Sequence, residues 1–359
     1  MFIPAASWEE TRSYDEHYEC CTFRGSLTAL RVADGGQQWK TFMTPEPRQR
    51  GHNSVGAKSY GPSGAGIWSS PTIDEKRGVM YITTGDNYSH PATKTSDAVI
   101  ALDLKSGRIV WSTQTFPNDV YASACQTKGA NCPEDAGPDY DYGAAAMLLR
   151  TASGREIIVA GQKSGMVYGL DPDAQGKILW ETRVGEGGIN GGVQWGMSSD
   201  GERVFASTND AVRIAGGLSS SGGVIGLATF DPAKGGGLTA LNIETGKKLW
   251  FAQPAPCAPA RPGCSPAQSA ALTAIPGAVF SGSLDGHLRA FASSDGKLLW
   301  DYDTVKDYTA ANAGPGVQAR GGSMDGAGPI VWQTMLFVNS GYPRNGGIPG
   351  NVLLAFEAE

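Results

Sequence analysis

Short runs in which hydrophobic and polar residues alternate follow one another along this chain, and glycine-containing polar turns separate them. Alternation with a period of two predicts half-buried β-strands, whereas a helix would repeat its apolar residues every three or four positions. No helical period lies between the sets of strands. The pattern therefore predicts an all-β protein built from strands that arrive in groups.

An eleven-residue frame recurs within this pattern. Four ungapped copies occupy residues 29–39, 101–111, 240–250 and 290–300, a copy one residue longer spans 169–180, and a sixth begins at Ala355. Each complete copy ends in Trp, and successive Trp residues are 72, 69, 70 and 50 positions apart. The spacing between copies is loose, but the frame itself is constant.

The frame has a direct structural interpretation. Its first residues continue a strand, its Asp-x-x-x-Gly segment forms a hairpin turn in which Gly supplies the positive φ, and a second strand ends in the Trp. A large aromatic residue at a fixed repeat position packs against the neighbouring unit, which stacks repeats that cannot bury their own faces. The frame thus predicts a β-propeller. The alternative is a β-sandwich with accidental similarity between its hairpins.

Composition supports a folded β-protein. Glycine accounts for 50 of the 359 residues, roughly twice its usual share, which suits many tight turns and disfavours helices. The chain is 40% hydrophobic and has 9 Trp, 12 Tyr and 11 Phe, so it has enough apolar surface to avoid disorder. A net charge of −6 without a Lys/Arg-rich run argues against nucleic-acid binding.

No apolar stretch approaches the length of about 18 residues that a membrane helix needs. Residues 1–7 also lack the basic start and apolar core of a secretion signal. The six cysteines nevertheless form three local pairs, Cys20/Cys21, Cys125/Cys132 and Cys257/Cys264. We favour disulfides, and hence an oxidising compartment, over free thiols. The adjacent Cys20 and Cys21 are either two buried thiols or a rigid vicinal disulfide at a site.

The frame A-x-D-x-x-x-G-x-x-x-W resembles the tryptophan-docking motif of quinoprotein alcohol dehydrogenases. Within that superfamily, residues 19–25, 61–71 and 321–329 most resemble polyvinyl-alcohol-dehydrogenase-like proteins. The resemblance implies an eight-bladed propeller that holds pyrroloquinoline quinone (PQQ) and Ca²⁺ on its axis. About six blades are represented, so we expect residues 1–359 to be one propeller domain that lacks roughly two N-terminal blades and, with them, its secretion signal.

The resemblance also implies cofactor-binding residues. Trp68 matches the tryptophan on which the quinone plane stacks, unless it merely packs between blades. Lys163 occupies the place of a cation that contacts the quinone oxygens, unless it is a solvated hairpin residue. Gln194 and Trp195 stand where the family has Asn-Trp, and Arg24 completes the set of candidate cofactor contacts.

Metal ligands are implied by two further segments. Asp86, with Asn87 beside it, matches a strand end that carries a metal ligand in the family, and oxygen ligands suit Ca²⁺. The alternative is a plain Asp-Asn turn. Glu19 resembles the family's glutamate ligand, but Arg24 follows it one residue later than usual, which leaves Glu10 as a rival.

Oxidation of an alcohol needs a base that removes the hydroxyl proton. Residues 115–121 resemble the segment that carries this base, which makes Asp119 the candidate; the alternative is a loop-capping carboxylate. The Cys125–Cys132 loop, with Pro138-Asp139-Tyr140-Asp141-Tyr142 after it, and the Cys257–Cys264 loop are candidate rims of the site.

These residues together predict a periplasmic or secreted alcohol dehydrogenase for secondary or polymeric alcohols. No Cys-x-x-Cys-His haem attachment sequence is present, so electrons would leave to a separate acceptor such as a cytochrome c or a dye. Two alternatives stay open. One is a non-catalytic propeller scaffold for protein binding in the cell envelope, and the other is a fragment that folds poorly and has no activity.

Overall fold

Six antiparallel sheets follow one another along the chain in the computed structural model, which describes residues 1–216, 227–309, 316–343 and 346–358. Within these ranges the first and sixth sheets have three strands each and the four between them have four. The strands of the six sheets are, in order, Phe2–Ala5, Ser26–Leu30 and Gln37–Phe42; Thr72–Asp74, Val79–Thr83, Ala98–Asp103 and Ile109–Gln114; Met147–Arg150, Glu156–Gly161, Met166–Asp171 and Lys177–Arg183; Ser198–Ser199, Arg203–Ser207, Leu238–Asn242 and Lys248–Ala252; Thr273–Ile275, Ala278–Gly282, His287–Ala292 and Leu298–Asp303; and Ile330–Trp332, Met335–Ser340 and Val352–Glu357.

Shorter elements connect these sheets. Two-stranded ladders pair Arg48–His52 with Lys58–Gly61, Ser63–Gly64 with Asn87–Ser89, Arg213–Gly216 with Ala228–Phe230, and Asp307–Tyr308 with Ala319–Arg320. The described helical segments are the α-helix Glu9–Arg12 and the 3₁₀ turns Ser123–Thr127 and Pro172–Ala174. The all-β prediction is confirmed.

Each complete eleven- or twelve-residue frame is a β-hairpin whose first residue lies opposite its Trp. The five pairs are Ala29 with Trp39, Ala101 with Trp111, Gly169 with Trp180, Ala240 with Trp250 and Ala290 with Trp300. One register shift follows each pair toward the turn. The second strand continues two or three residues past the Trp, whereas the sequence pattern predicted that it would end there.

The frame tryptophans bind the next sheet in the chain, as the docking hypothesis requires. Trp180 lies against Gly246, whose φ is +68°, so closely that a Cβ on this glycine would overlap the indole ring. Its Nε1 also donates to the carbonyl of Ile243 at 3.0 Å, and Thr182 Oγ1 donates to the carbonyl of Gly246 at 2.7 Å. Gly107, Gly176 and Gly296 receive Trp39, Trp111 and Trp250 in the same way.

Apolar side chains fill the space between consecutive sheets. Five buried clusters separate the first sheet from the second, the second from the third, and so on to the sixth. Face-to-face stacking of successive antiparallel sheets is the arrangement of propeller blades. Among the described residues, no such cluster joins the sixth sheet to the first.

All six cysteines are paired in disulfides, Cys20 with Cys21, Cys125 with Cys132 and Cys257 with Cys264. The preference for disulfides over free thiols is confirmed, including the vicinal pair. The vicinal disulfide is buried against Tyr88, which lines the cavity described below. No helix in the described ranges has the length and apolar character needed to cross a membrane.

Candidate active site

A cavity of about 590 Å³ lies where corresponding loops of neighbouring blades meet. Asp86 follows the strand Val79–Thr83 of the second sheet, and Lys163 follows the strand Glu156–Gly161 of the third. These strands hold the same position in their blades, so their loops emerge at the same end of the stack. Both side chains consequently line one cavity.

Three buried carboxylates meet in this cavity. One oxygen each from Asp86, Asp139 and Asp141 lie within 4.8 Å of one another. Lys163 Nζ donates to Asp139 Oδ1 at 2.5 Å and to Asp141 Oδ2 at 3.0 Å. The other oxygen of Asp141 accepts the backbone N–H of Asp86 at 2.7 Å. Oxygen donors in this number and spacing suit a divalent cation such as Ca²⁺.

Asp119 holds the segment that carries two of these carboxylates. Its oxygens accept the backbone N–H groups of Asp139 at 3.2 Å and of Tyr140 at 2.8 Å. Asp139 has a φ of +61°, a backbone conformation that few residues other than Gly, Asn and Asp adopt readily. The Asp119 carboxylate therefore keeps Asp139 in a conformation that the chain would otherwise seldom adopt.

The buried carboxylates and Lys163 shift one another's pKa values. Burial raises the pKa of Asp86 well above its ordinary value, and Asp141 and Asp139 raise it further. Burial raises the pKa of Asp139 in the same way, although Lys163 opposes the rise. Burial alone would lower the pKa of Lys163, but the charges of Asp139 and Asp141 hold it above its ordinary value. Lys163 thus stays protonated.

Asp141 is the carboxylate most stabilised in its charged form. Burial would raise its pKa, but Lys163 and the N–H of Asp86 together hold it below the ordinary value. One ammonium group cannot balance all the neighbouring carboxylates. An added cation would stabilise the charged forms of these carboxylates, which burial disfavours.

Glu10 brings a fourth carboxylate to this cavity from the short helix Glu9–Arg12. Its Oε1 accepts the hydroxyl of Ser123 at 2.8 Å, which ties the helix to the 3₁₀ turn Ser123–Thr127. Burial raises the pKa of Glu10 to about 6, with a further contribution from Asp141. Of the two rival glutamates, Glu10 is the one that the structure brings to the acidic cluster.

Two tryptophans form the aromatic part of the wall. The rings of Trp68 and Trp195 meet edge to face, with centroids 5.6 Å apart and planes at 85°. Trp68 packs against Gly143 so closely that a Cβ there would overlap its six-membered ring. Gln194 lines the same cavity and accepts an N–H of Asn209 at 3.2 Å. Trp68, Trp195, Gln194 and Lys163, all predicted cofactor contacts, therefore share one cavity.

The structure does not bring Glu19 to this cavity. Its carboxylate is half exposed and forms a 3.2 Å ion pair with Lys58. Asp119 also lies outside the lining, because both of its oxygens face the backbone of the 139–140 segment.

Arg24 and Asn87 make contacts elsewhere. The Arg24 guanidinium donates to the carbonyl of Thr44 and lies 3.7 Å from the centre of the Phe42 ring. The amide of Asn87 donates to the carbonyl of Ser63 at 3.0 Å, and its oxygen accepts the N–H of Thr93 at 2.7 Å. Neither residue lines the cavity.

Sequence reasoning missed Asp139 and Asp141 as members of the site. It assigned residues 138–142 to the rim, although the Asp-Tyr-Asp spacing was a usable signal. Two aspartates separated by one residue are close enough along the chain to reach one cation. The long loop between Asp119 and Asp139 obscured this signal. It separates residues 115–121, which resemble the family's base-bearing segment, from the carboxylates that line the cavity.

Stacked sheets with tryptophan docking and an acidic, tryptophan-walled cavity define a propeller of the quinoprotein type. A family model described as "Outer membrane protein assembly factor BamB" matches residues 99–324. The quinohemoprotein alcohol dehydrogenase of Comamonas testosteroni has a similar solved structure, with a TM-score of 0.62 at 18% identity over 99% of this chain and 58% of that one. The docking-repeat propeller prediction is confirmed, while the described residues do not show closure of the ring.

Two polyvinylalcohol dehydrogenases are similar over the whole of this chain. One, from a Pseudomonas species, is 41% identical, and the other, from Sphingopyxis sp. strain 113P3, is 38% identical. In each comparison this chain spans 55% of the relative's length. The chain belongs to the superfamily of PQQ-dependent alcohol dehydrogenases.

Proposed function

We propose that this chain carries the cofactor site of a quinoprotein alcohol dehydrogenase that uses PQQ and a divalent cation, Ca²⁺ in the first instance. The observation that carries the proposal is the meeting of Asp86, Asp139 and Asp141 around Lys163 in a cavity walled by Trp68. Three buried carboxylates are costly unless a cation compensates them. The donor set is all oxygen, which fits a hard cation.

Each of these side chains has a role in the proposed reaction. PQQ bound beside Trp68 and Lys163 would supply a two-electron acceptor, and a cation held by the three aspartates would supply a Lewis acid. Asp139 accepts the hydroxyl proton in this proposal, because its buried carboxylate lines the cavity beside Lys163 and Asp141. Trp68 offers apolar area to a flat ring system, and Lys163 supplies fixed positive charge for anionic oxygens.

Glu10 and Gln194 complete the polar wall. Glu10 offers a further carboxylate to the acidic cluster, and Gln194 offers an amide to the same cavity. Asp119 is a positioning residue in this proposal, since it acts on Asp139 only through the backbone. The sequence-based assignment of the base is thus moved from Asp119 to Asp139, twenty residues further along the chain.

The substrate class follows the relatives named above. Both are named for polyvinyl alcohol, so we propose secondary alcohols, including hydroxylated polymers, as donors and a separate cytochrome or dye as electron acceptor. The three disulfides support a periplasmic or secreted location.

The test loads the purified protein with PQQ and Ca²⁺ and follows both cofactor binding and dye reduction with a secondary alcohol. We expect Trp68→Ala to lose cofactor binding and Asp139→Asn to keep binding but lose turnover. Glu19→Gln is the matched control, because that carboxylate lies outside the cavity. Wild-type protein that binds neither PQQ nor Ca²⁺ would exclude the proposal.

A second candidate is the non-catalytic envelope scaffold, which the description of the matching family model favours. A scaffold has no use for buried carboxylates that raise one another's pKa. The same experiment decides, since a scaffold would bind no cation at Asp86 and would be unaffected by Asp86→Asn.

A further inference from the structure

One of the segments that resemble polyvinyl-alcohol-dehydrogenase-like proteins has no role in the reaction proposed above. It covers residues 321–329 and leads into the first strand of the sixth sheet, Ile330–Trp332. Backbone hydrogen bonds of 3.0 Å to loops of the fifth blade hold Met324 and Gly326, the residues on either side of Asp325. The main chain therefore keeps Asp325 in a defined place.

The Asp325 carboxylate accepts hydrogen bonds from two other blades. Trp195 Nε1 donates to its Oδ1 at 2.8 Å, and Ser269 Oγ donates to the same oxygen at 2.7 Å. Trp195 lies just before the first strand of the fourth sheet, and Ser269 lies just before the first strand of the fifth. One oxygen of the sixth blade thus joins the corresponding loops of three consecutive blades.

The backbone around Trp195 is held independently of Asp325. The N–H of Val193 and the carbonyl of Gly196 form backbone hydrogen bonds of 3.1 and 3.2 Å to the neighbouring blades. These bonds fix the main chain but not the two side-chain torsions of the indole. Hydrogen bonds to a charged acceptor are stronger than those between neutral groups, so the carboxylate favours the orientation in which Nε1 points at Asp325.

The orientation of Trp195 determines the shape of the aromatic wall of the candidate active site. Its ring meets that of Trp68 edge to face, with centroids 5.6 Å apart, and both rings line the cavity. Rotation of one indole would therefore change the surface beside the other. A wall that is already ordered spares a ligand the entropic cost of ordering it during binding.

We propose that Asp325 is a positioning residue, which fixes the orientation of Trp195 beside Trp68 and so prepares the aromatic wall before a planar ligand binds. Its effect on the ligand is indirect, because Asp325 acts through the indole and does not line the cavity. The choice of PQQ as the planar ligand rests on the proposed function, whereas the orientation of Trp195 does not depend on it.

The first measurement follows the indole N–H groups of the isotope-labelled, cofactor-free protein by NMR, and the Trp195 signal is identified by its absence in Trp195→Phe. We expect Asp325→Ala, which removes the acceptor, to move this signal and to speed its exchange with solvent. Asp325→Asn keeps a side-chain oxygen for the indole and should restore the protection. Ser269→Ala is the matched control, because it removes a hydrogen bond to the same oxygen but leaves that of the indole.

The second measurement is the affinity for PQQ in the presence of Ca²⁺. Asp325→Ala should weaken binding about two- to tenfold, the range expected when one more side chain has to be ordered on binding. Asp325→Asn and Ser269→Ala should bind PQQ as the wild-type protein does. Adding Asp325→Ala to Trp195→Phe should cause no further loss, because the bond between the two residues is already absent.

An unchanged Trp195 signal in Asp325→Ala, or equal losses of PQQ affinity in Asp325→Ala and Ser269→Ala, would overturn the inference. If Asp325→Ala does not fold, the wild-type spectrum decides: a Trp195 N–H protected from exchange supports the inference, and an unprotected one overturns it. Wild-type protein that binds no PQQ would instead refute the proposed function and would leave the indole result unchanged.

Discussion

Replacing Asp119 and Asp139 separately by asparagine is the sharpest test of the site. Asp139→Asn replaces a carboxylate that lies in the cavity, and Asp119→Asn replaces one that lies behind it. The two variants differ from the wild-type protein by the same chemical change. We expect them to fail in opposite ways, the first in turnover and the second in stability.

The magnitudes follow from the contacts. Asp119 accepts two backbone N–H groups at 3.2 and 2.8 Å, and bonds to a charged acceptor contribute about 1.5–3 kcal/mol each. An asparagine keeps one of these bonds and turns its own N–H₂ toward the other, so Asp119→Asn should lower the free energy of unfolding by about 2–3 kcal/mol. In Asp139→Asn the amide oxygen still accepts from Lys163, which keeps its ion pair with Asp141 at 3.0 Å, so we expect a change of about 1 kcal/mol.

Turnover should show the reverse pattern. Loss of a general base lowers the rate by about 10²–10⁴-fold, so Asp139→Asn should be close to inactive in the dye-reduction assay. Asp119→Asn should retain measurable turnover at low temperature, where its loosened segment is still ordered. Urea unfolding of the cofactor-free protein gives the stability of each variant. A stable but inactive Asp119→Asn together with an active Asp139→Asn would refute our assignment of the base.

Three further predictions concern the fold and the acidic cluster. Gly246→Ala combines a positive φ with overlap on Trp180, so it should lower the free energy of unfolding by about 3 kcal/mol or more. Gly277→Ala has a positive φ but open space around it, so it should lower the free energy of unfolding by only about 1 kcal/mol. Urea unfolding measures both. The raised pKa of Glu10 means that its contribution to stability is present below pH 4.5 and is lost as the pH rises through about 6. The metal-free wild-type protein should therefore lose about 2 kcal/mol of stability as the pH rises through about 6, and Glu10→Gln should not show this loss. Identical pH–stability profiles for the two proteins would contradict the burial of this group. Glu19→Gln should leave Ca²⁺ affinity unchanged by calorimetry and alter stability by less than about 1 kcal/mol, because its ion pair with Lys58 is half exposed; a large loss of affinity would return Glu19 to the site.

Part of the candidate site could be predicted from residue type and resemblance alone. Trp68, Lys163, Gln194 and Trp195 were expected at the cofactor and Asp86 at its metal, and the structure brings all five to one cavity. Asp86 and Lys163 follow the second strands of their blades, whereas Trp68, Gln194 and Trp195 lie just before the first strands. A residue in a repeated position can be located because its neighbours along the chain determine where it points.

Two of the predicted residues that lie outside the cavity, Glu19 and Asp119, are in irregular segments. Glu19 and Glu10 are both close to the first hairpin, and only packing of the helix Glu9–Arg12 against the turn Ser123–Thr127 decides which one faces the cavity. The Cys125–Cys132 disulfide closes part of the long loop between Asp119 and Asp139. Because this loop is long and irregular, the sequence alone does not show which of the two aspartates lies in the cavity.

The sequence by itself determined the hairpins, the stacking of blades through Trp and Gly, the pairing of the cysteines and the superfamily. All of these depend on residues near in the chain or at matching positions of the recurring frame, so a linear pattern encodes them. Only the tertiary structure decided that Asp139 and Asp141 join Asp86 around Lys163. Asp86 and Lys163 come from neighbouring blades and the other two aspartates from the segment between those blades, so their distances are set by how the sheets pack, which no single stretch of sequence records.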